Sequence, residues 1–301
     1  MRILLTGAAG QIGGALLPLL GDKHDVVAPL RAQFDLSKPE ALPGKLDEFR
    51  PDLIVNPAAY TAVDKAEDEA ALAFQINRDA PAAMAAWAAG RGVPMVHFST
   101  DYVFDGKSRD LWREDDSTGP LSVYGASKLA GETAVRSAGG AHLIIRTAWV
   151  YAAQGANFMR TMIRLAKERD TLRVVADQFG TPTTAATIAS TFTRILEQAE
   201  PDLPGSFDQS EGLLHLTNSG SASWCDFASA IIAGAQSRGI ELKASEVIPI
   251  ATSDYPTKAV RPANSRLDLQ RLKEVYDIKT PAWQSALADE LDAYVLREQR
   301  Y

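Results

Sequence analysis

Cysteine is nearly absent from this chain, because Cys225 is the only one among 301 residues. A single cysteine excludes an intramolecular disulfide and any metal site built from several thiolates. The four histidines, His24, His97, His142 and His215, show no metal-ligand spacing such as H-E-x-x-H, and we interpret them as structural. No metal site is predicted, and the composition is typical of a reducing, cytoplasmic compartment.

Long basic runs and long apolar runs are also missing. The formal net charge is −7, which argues against nucleic acid or an anionic membrane as the main partner. No apolar stretch approaches the ~20 residues of a membrane span, and no signal-peptide core precedes the first strand. We therefore expect a small-molecule partner and a chain long enough for one large domain or two closely joined ones.

The N-terminal segment has the order strand, glycine turn, helix. Ile3-Leu4-Leu5 is a short apolar strand, and Gly7, Gly10 and Gly13 follow it with the spacing G-x-x-G-x-x-G, which differs from the commoner G-x-G-x-x-G. Small residues at this point let a pyrophosphate approach the backbone N–H groups of a helix N-terminus. The three glycines are predicted to bind a dinucleotide; the alternative is that they serve only a tight turn.

The end of the second predicted strand bears on the choice of cofactor. After Asp25-Val26-Val27-Ala28 the chain reads Pro29-Leu30-Arg31, with an arginine and no acid. An acid near this point typically binds the ribose 2′-hydroxyl of NAD, whereas an arginine accommodates a 2′-phosphate. NADPH is favoured, NADH stays possible, and Arg31 as an ordinary exposed arginine is the alternative. Phe34-Asp35-Leu36 is predicted as a short third strand, with Asp35 accepting from an adenine amino group.

Strands and helices alternate over the first half of the chain. Further strands are predicted at Pro51–Val55, Val93–Phe98 and His142–Arg146, with a helix from Ala70 to Gly92. We therefore predict an α/β protein, a Rossmann-type doubly wound parallel sheet with a smaller C-terminal α/β substrate domain. Residues 1–150, with part of 178–218, are assigned to the dinucleotide-binding domain, and 151–301 mainly to the substrate domain.

A tyrosine and a lysine stand four residues apart at the start of a predicted helix. This spacing places Tyr124 and Lys128 on one face. A nearby ammonium favours the phenolate and would lower the tyrosine pKa, which would make Tyr124 a usable general acid. Thr100, at the end of an apolar strand, would place a second hydroxyl on the same substrate oxygen. Such pairs also occur by chance, so the interpretation depends on the cofactor site.

Together these motifs resemble the extended short-chain dehydrogenase/reductase superfamily. The resemblance extends almost end to end and is carried by the glycine turn and by Asn56-Pro57-Ala58-Ala59, Tyr60–Glu67, Ser99–Phe104, Tyr124 with Lys128, Arg146–Tyr151, Asp177–Thr183 and Arg261–Leu267. It implies reduction at C4 of a nucleotide-linked 6-deoxy-4-keto sugar, with hydride from a nicotinamide and a proton from Tyr124.

The resemblance also implies residue roles. Lys128 would bind the nicotinamide ribose, Thr100 the C4 oxygen, and Asp101 and Trp149 would line the sugar pocket. Cofactor contacts are implied for Gly10, Gln11, Ile12, Asp35, Leu36, Ala59, Tyr60 and Thr61.

Two further residues are assigned to the substrate site. Asn157 follows the last predicted core strand. Arg261 lies in a polar loop, where its guanidinium would pair with the substrate diphosphate; the alternative is a surface arginine paired with an acid.

Tyr102 narrows the predicted reaction. Nucleotide-sugar dehydratases of this superfamily carry a Glu directly after the Thr-Asp pair as the base for elimination, and this chain has Tyr102 there. Carbonyl reduction is therefore favoured. An epimerase, a non-catalytic dinucleotide-binding regulatory subunit and an NADPH-bound redox sensor remain alternatives.

Some relatives are dimers bridged by Mg²⁺ through glutamates. The corresponding stretches here, Gly14-Ala15-Leu16 and Thr184-Ala185-Ala186-Thr187, lack carboxylates, and Glu290 alone is a poor site for a hard divalent ion. A monomer or a weak homodimer without metal is expected.

Overall fold

The computed structural model describes residues 1–298 of the chain. The strands are β1 Arg2–Leu5, β2 Asp25–Val27, β3 Leu53–Asn56, β4 Met95–Thr100, β5 His142–Thr147, β6 Val150–Tyr151, β7 Thr171–Val175, β8 Phe179–Gly180, β9 Thr183–Thr184, β10 Leu213–His215, β11 Ala222–Ser223 and β12 Glu246–Ile250. The helices are α1 Gln11–Gly21, α2 Leu42–Phe49, α3 Val63–Ala66, α4 Ala70–Phe74, α5 Ala80–Ala89, α6 Val123–Ser137, α7 Phe158–Glu168, α8 Ala185–Ala199, α9 Leu203–Gln209, α10 Trp224–Gln236, α11 Gln270–Tyr276 and α12 Trp283–Glu298. A π turn, Gln75–Asp79, joins α4 to α5, and 3-10 turns occupy Pro39–Ala41, Asp101–Val103 and Thr252–Asp254.

A parallel sheet with the strand order β2-β1-β3-β4-β5-β10 forms the centre of the molecule. Its inner strands β1 and β3 are nearly continuous apolar runs because both faces of the sheet are covered there. Successive side chains point to opposite faces, so Ile3 and Leu5 enter one apolar cluster and Leu4 enters the other. The prediction of a Rossmann-type parallel sheet is confirmed.

The order of the strands reverses between β1 and β3. Strand β1 pairs with β2 on one side and with β3 on the other. The carboxyl ends of β1 and β3 therefore flank a crevice, and ligands of open α/β sheets bind at such a switch point. The glycine turn after β1 lies at this point.

The predicted strand at Phe34-Asp35-Leu36 is wrong. The segment forms turns in which the Asp35 carboxylate accepts hydrogen bonds from the Ser37 N–H at 3.1 Å and the Ser37 hydroxyl at 2.8 Å. Such local bonds offer the backbone an alternative to a sheet ladder. Phe34 and Leu36 are buried in the cluster beneath α2 and α5, so their apolar character reflects packing.

Beyond residue 150 the chain contributes chiefly to two apolar clusters. Helix α8 and strand β10 complete the cluster that covers β1 and α1. A separate cluster forms around α7, α10 and α12, with β7 paired to β12. The division into residues 1–150 and 151–301 stays a prediction. None of the helices within residues 1–298 has both the length and the apolarity needed to cross a membrane.

Candidate active site

The glycine turn is built by close backbone contacts. Gly7 has φ +60°, a conformation that L side chains rarely adopt, and the Gly10 N–H donates to the Gly7 carbonyl at 2.8 Å. A Cβ at Gly13 would overlap the same carbonyl. Helix α1 begins at Gln11 with no acid in its first turn, so its positive end faces the cleft without a carboxylate from that turn.

The carboxyl edge of β4 and β5 supplies polar groups to the same cleft, which has a volume of about 990 Å³. Ser99 and Thr147 lie there with hydroxyl groups that, among the described residues, have no hydrogen-bond partner. The Oδ2 atom of Asp101 is likewise buried without a partner in residues 1–298. Buried polar atoms are normally paired, so these three fit hydroxyl and amide groups of a polar ligand.

Helix α6 places the tyrosine and the lysine. Its first turn is capped by Ser122, whose hydroxyl accepts from the Gly125 N–H at 3.2 Å. A Cβ at Gly125 would overlap the Tyr102 carbonyl, so glycine allows the helix to lie directly on the turn after β4. This approach brings Tyr124 and Lys128 to the cleft beside Thr100 and Asp101.

Burial controls the protonation of Tyr124. It raises the pKa of Tyr124 to about 12, while a hydrogen bond with the Thr100 side chain acts in the opposite direction and the charge of Asp101 raises the pKa further. The expectation that Lys128 lowers this pKa is not met. The lysine ammonium lies instead 2.6 Å from the Phe98 carbonyl, to which it donates, and 3.2 Å from the His97 ring.

Lys128 is itself 2% exposed. Burial lowers the pKa of Lys128 to about 8, and the charge of Glu132 opposes this shift. At neutral pH the cleft therefore contains a protonated phenol and a mostly protonated amine. Burial also raises the pKa of Asp101 to about 7, and the hydrogen bond that the Thr100 hydroxyl donates to its Oδ1 atom at 2.9 Å acts against this shift.

Trp149 also lines the cleft. It is a non-glycine residue at φ +47°, a conformation of the kind that concentrates at functional sites. Its indole stacks on that of Trp224, with ring centroids 3.5 Å apart and planes 5° apart. A Cβ at Gly180 would overlap the indole. A flat apolar surface of this kind suits the face of a sugar ring.

The cleft brings together most of the residues singled out from the sequence. These residues are Gly7, Gly10, Gln11, Ile12, Gly13, Ala59, Thr61, Thr100, Asp101, Tyr124, Lys128, Trp149 and Asn157. The Asn157 amide is engaged by the loop that precedes α7, because it donates to the carbonyls of Ala152 at 2.7 Å and Gln154 at 3.1 Å.

Five other residues that were predicted to bind the cofactor or the substrate do not line this cleft, namely Arg31, Asp35, Leu36, Tyr60 and Arg261. Arg31 is exposed, and its Nε lies 3.8 Å from Asp35 Oδ1. Leu36 is buried beneath α2. The Tyr60 hydroxyl donates to Glu69 at 2.7 Å. Arg261 forms a bidentate pair with Asp64, at 2.8 and 2.5 Å, and this holds the pKa of Asp64 at about 2.

Sequence reasoning missed several residues of the site. Trp224 lines the cleft but carries no local motif, because the fold alone brings α10 to the ends of the two strands. Ser99 and Thr147 lie within the motifs Ser99–Phe104 and Arg146–Tyr151, but no role in the site was assigned to them. Asn77 falls within the helix predicted from Ala70 to Gly92, and no role is predicted for it. It lies in the π turn, where its amide donates to Ser127 at 2.9 Å and accepts from the Tyr60 N–H at 2.8 Å. The π turn itself has no signal in the sequence.

No group of three or more His, Cys, Asp or Glu residues within 1–298 is arranged to hold a metal ion. Glu290 accepts from the Ala153 N–H at 2.5 Å, and burial raises the pKa of its carboxyl group. Its carboxylate is therefore engaged by the protein backbone.

The parallel sheet, the glycine turn and the Tyr124–Lys128 pair define a Rossmann-type dehydrogenase or reductase. A family model described as the RmlD substrate binding domain matches residues 1–296, and the chain belongs to this family. It is similar to dTDP-4-dehydrorhamnose reductase of Burkholderia thailandensis, with 46% identity over 290 residues that cover 95% of this chain and 97% of that protein.

Solved structures agree with this assignment. A dTDP-4-dehydrorhamnose reductase from Clostridium acetobutylicum has a TM-score of 0.88 and 37% identity, covering 97% of this chain and 99% of that one. The same enzyme from Bacillus anthracis, in complex with NADP, has a TM-score of 0.88 and 33% identity with the same coverage. The resemblance identified from the sequence motifs is confirmed.

Proposed function

We propose that this chain is an NADPH-dependent reductase that converts dTDP-4-dehydro-L-rhamnose to dTDP-L-rhamnose. The observation that supports the proposal is a protonated, partly buried Tyr124 beside Thr100 and an anchored Lys128, at the strand edge that faces the glycine turn. The similar proteins named above carry the same activity in their names, and one is in complex with NADP. NADPH would supply the hydride for C4.

The chain's own residues would do the acid chemistry. Tyr124 would donate its phenolic proton to the C4 oxygen as that oxygen gains charge, and Thr100 would hold the same oxygen by a hydrogen bond. The indole of Trp149 would pack against the sugar ring, and the Asp101 carboxylate would accept a hydrogen bond from a sugar hydroxyl. Lys128, Ser99 and Thr147 would hold the nicotinamide half of the cofactor, and the glycine turn its pyrophosphate.

Replacing Tyr124 by phenylalanine tests the proposal. Tyr124→Phe removes the proton donor and keeps the ring, so kcat with NADPH and the keto sugar is expected to fall at least ~100-fold, while the dissociation constant for NADPH stays near that of the unchanged protein. Steady-state assays at 340 nm and fluorescence titration measure the two quantities.

The matched control is Tyr276→Phe, which removes a phenol that donates to the Ser206 carbonyl, away from the cleft. Its kcat should stay close to that of the unchanged protein. A Tyr124→Phe variant with near-normal kcat would remove Tyr124 from the mechanism. Absence of turnover in the unchanged protein would favour a regulatory subunit or a redox sensor.

Arg31 is proposed to select NADPH over NADH through the 2′-phosphate. It lies in the turn that follows β2, at the same sheet edge as the glycine turn, with its side chain largely exposed. Loss of a charge-assisted hydrogen bond costs about 1.5 to 3 kcal/mol, so Arg31→Ala should reduce the ratio of kcat/KM for NADPH to that for NADH at least about tenfold. Arg164→Ala, an exposed arginine on α7, is the control, and an unchanged ratio in Arg31→Ala would refute the role.

The protein is further proposed to act in the cytoplasm as a monomer or weak homodimer. The buried thiol of Cys225 suits a reducing compartment. Sedimentation analysis across a range of protein concentrations would measure the oligomeric state.

A further inference from the structure

A line of buried polar side chains runs from Lys128 into the sheet. The Lys128 Nζ lies 3.2 Å from His97 Nε2, His97 Nδ1 lies 3.1 Å from Asn56 Nδ2, and the Thr6 hydroxyl lies 2.6 Å from Asn56 Oδ1. All four residues are at most 5% exposed. The line joins helix α6 to the middle of β4, to the last residue of β3 and to the residue that follows β1, so it connects four elements of the fold.

The number of protons in this line is restricted. Burial, and then the charge of Lys128, holds the pKa of His97 well below its ordinary value, so the ring is neutral and carries one N–H. A protonated Lys128 has three N–H donors. One donates to the Phe98 carbonyl at 2.6 Å, one faces His97, and the side chain also lines the cleft.

Two arrangements of the protons satisfy the contact between Lys128 and His97. If His97 carries its proton on Nε2, that N–H faces Lys128, which must then be a neutral amine. If the proton is on Nδ1, Nε2 is free to accept from a charged ammonium. This arrangement requires the Asn56 amide to be turned end for end, because its nitrogen now faces His97 and its oxygen faces Thr6; once turned, the amide presents its oxygen to the ring and its NH₂ group to Thr6. The two ends of an amide have nearly the same shape, so its orientation follows the hydrogen bonds.

We propose that His97 is a positioning residue for Lys128, with its proton on Nδ1 and Nε2 accepting from the ammonium. Asn56 and Thr6 hold the ring in this form. Two donors of the ammonium are thereby fixed by Phe98 and His97, and the third is directed into the cleft. The inference deepens the proposed function, since that third donor is the one available to the cofactor.

The tautomer is measured directly by nuclear magnetic resonance. Only four histidines are present in the chain, so long-range proton–nitrogen correlations of ¹⁵N-histidine-labelled protein at neutral pH are readily resolved. The His97→Gln and His142→Gln variants assign two of the signals, and His142 also serves as the control, since its Nδ1 contacts the Gly140 carbonyl at 2.9 Å away from the cleft. The expected result is a neutral His97 with its proton on Nδ1; a proton on Nε2, or a charged ring, would overturn the proposal.

Two variants of His97 separate positioning from packing. Glutamine places its amide oxygen near the position of Nε2 and keeps an acceptor for Lys128, whereas asparagine reaches only the position of Nδ1 and loses it. We expect His97→Gln to bind NADPH within about threefold of the unchanged protein and His97→Asn to bind about tenfold to a hundredfold more weakly. The proposal fails if the asparagine variant binds NADPH as well as, or better than, the glutamine variant. Both readouts are independent of sugar turnover, so failure of the proposed reaction would be recognised separately.

Discussion

Burial changes the proton affinity of both side chains in the Tyr124–Lys128 pair. The spacing of the two residues was sufficient to predict that they share a helix face, and both do line the cleft. The direction of the tyrosine shift was predicted wrongly, because sequence spacing does not reveal that Lys128 donates to Phe98 or that the surrounding protein desolvates the phenol. A pKa of about 12 keeps Tyr124 protonated, and a proton donor needs that form.

The lysine pKa gives a pH prediction. Lys128 has a pKa lowered to about 8, so its charge is present below that pH and lost above it. We expect NADPH binding to weaken as the pH rises through about 8, by up to about tenfold per pH unit, because a neutral amine is a weaker donor to an anionic cofactor. Fluorescence titration from about pH 7 to about pH 9.5 measures this change.

The control for the lysine is Lys128→Met, which cannot titrate. This variant should bind NADPH weakly and with little pH dependence over the same range. A flat profile in the unchanged protein would show that the charge of Lys128 does not contribute to binding.

Single elements position the site through close contacts that sequence patterns only partly reveal. The strand, turn and helix at the N-terminus were predicted, because the apolar run and the glycines lie next to each other in the chain. The stacked pair of Trp149 and Trp224 was not, because it depends on how α10 packs against the segment after β5. The strand predicted at residues 34–36 was wrong for a related reason. Phe34 and Leu36 are apolar because they pack in a cluster covered by helices, and not because they pair in a sheet.

Helix α6 gives a prediction at this scale. A Cβ at Gly131 would overlap the Asn77 carbonyl in the π turn, so Gly131→Ala must push α6 away from α4 and α5. We expect the free energy of unfolding to fall by about 1 to 3 kcal/mol, and kcat to fall with it, because α6 carries Tyr124 and Lys128. Urea unfolding and steady-state assays measure the two effects.

Gly44→Ala in α2 is the matched control for Gly131. A Cβ at Gly44 meets nothing within 4 Å, and alanine in a helix interior is favoured over glycine by about 0.5 to 1 kcal/mol. This variant should be slightly stabilised and fully active. Unchanged stability and kcat in Gly131→Ala would mean that the contact between α6 and the π turn does not position the site.

Over the whole molecule, the later part of the chain completes the core of the earlier part. More than half of the buried side chains in the cluster that covers β1 and α1 come from residues beyond 150, chiefly from α8, α9, β10 and α11. The alternation of strands and helices predicted the first five sheet strands, apart from their exact bounds. It did not place α8 against α1, because that contact joins segments more than 150 residues apart.

A fragment ending at residue 150 should therefore fail to unfold cooperatively. It would leave β5 as an open edge and would expose apolar residues of α1, including Leu16 and Leu20, that α8 covers in the full chain. Circular dichroism during thermal unfolding would show a broad, shallow change for the fragment and one sharp transition for the full chain. Joining residues 178–218 to the fragment by a flexible linker restores α8, α9 and β10 and should recover part of the cooperativity, although α11 is still missing. A sharp transition in the short fragment would mean that β1 to β5 and their helices carry a sufficient core of their own, and that residue 150 is a true domain boundary.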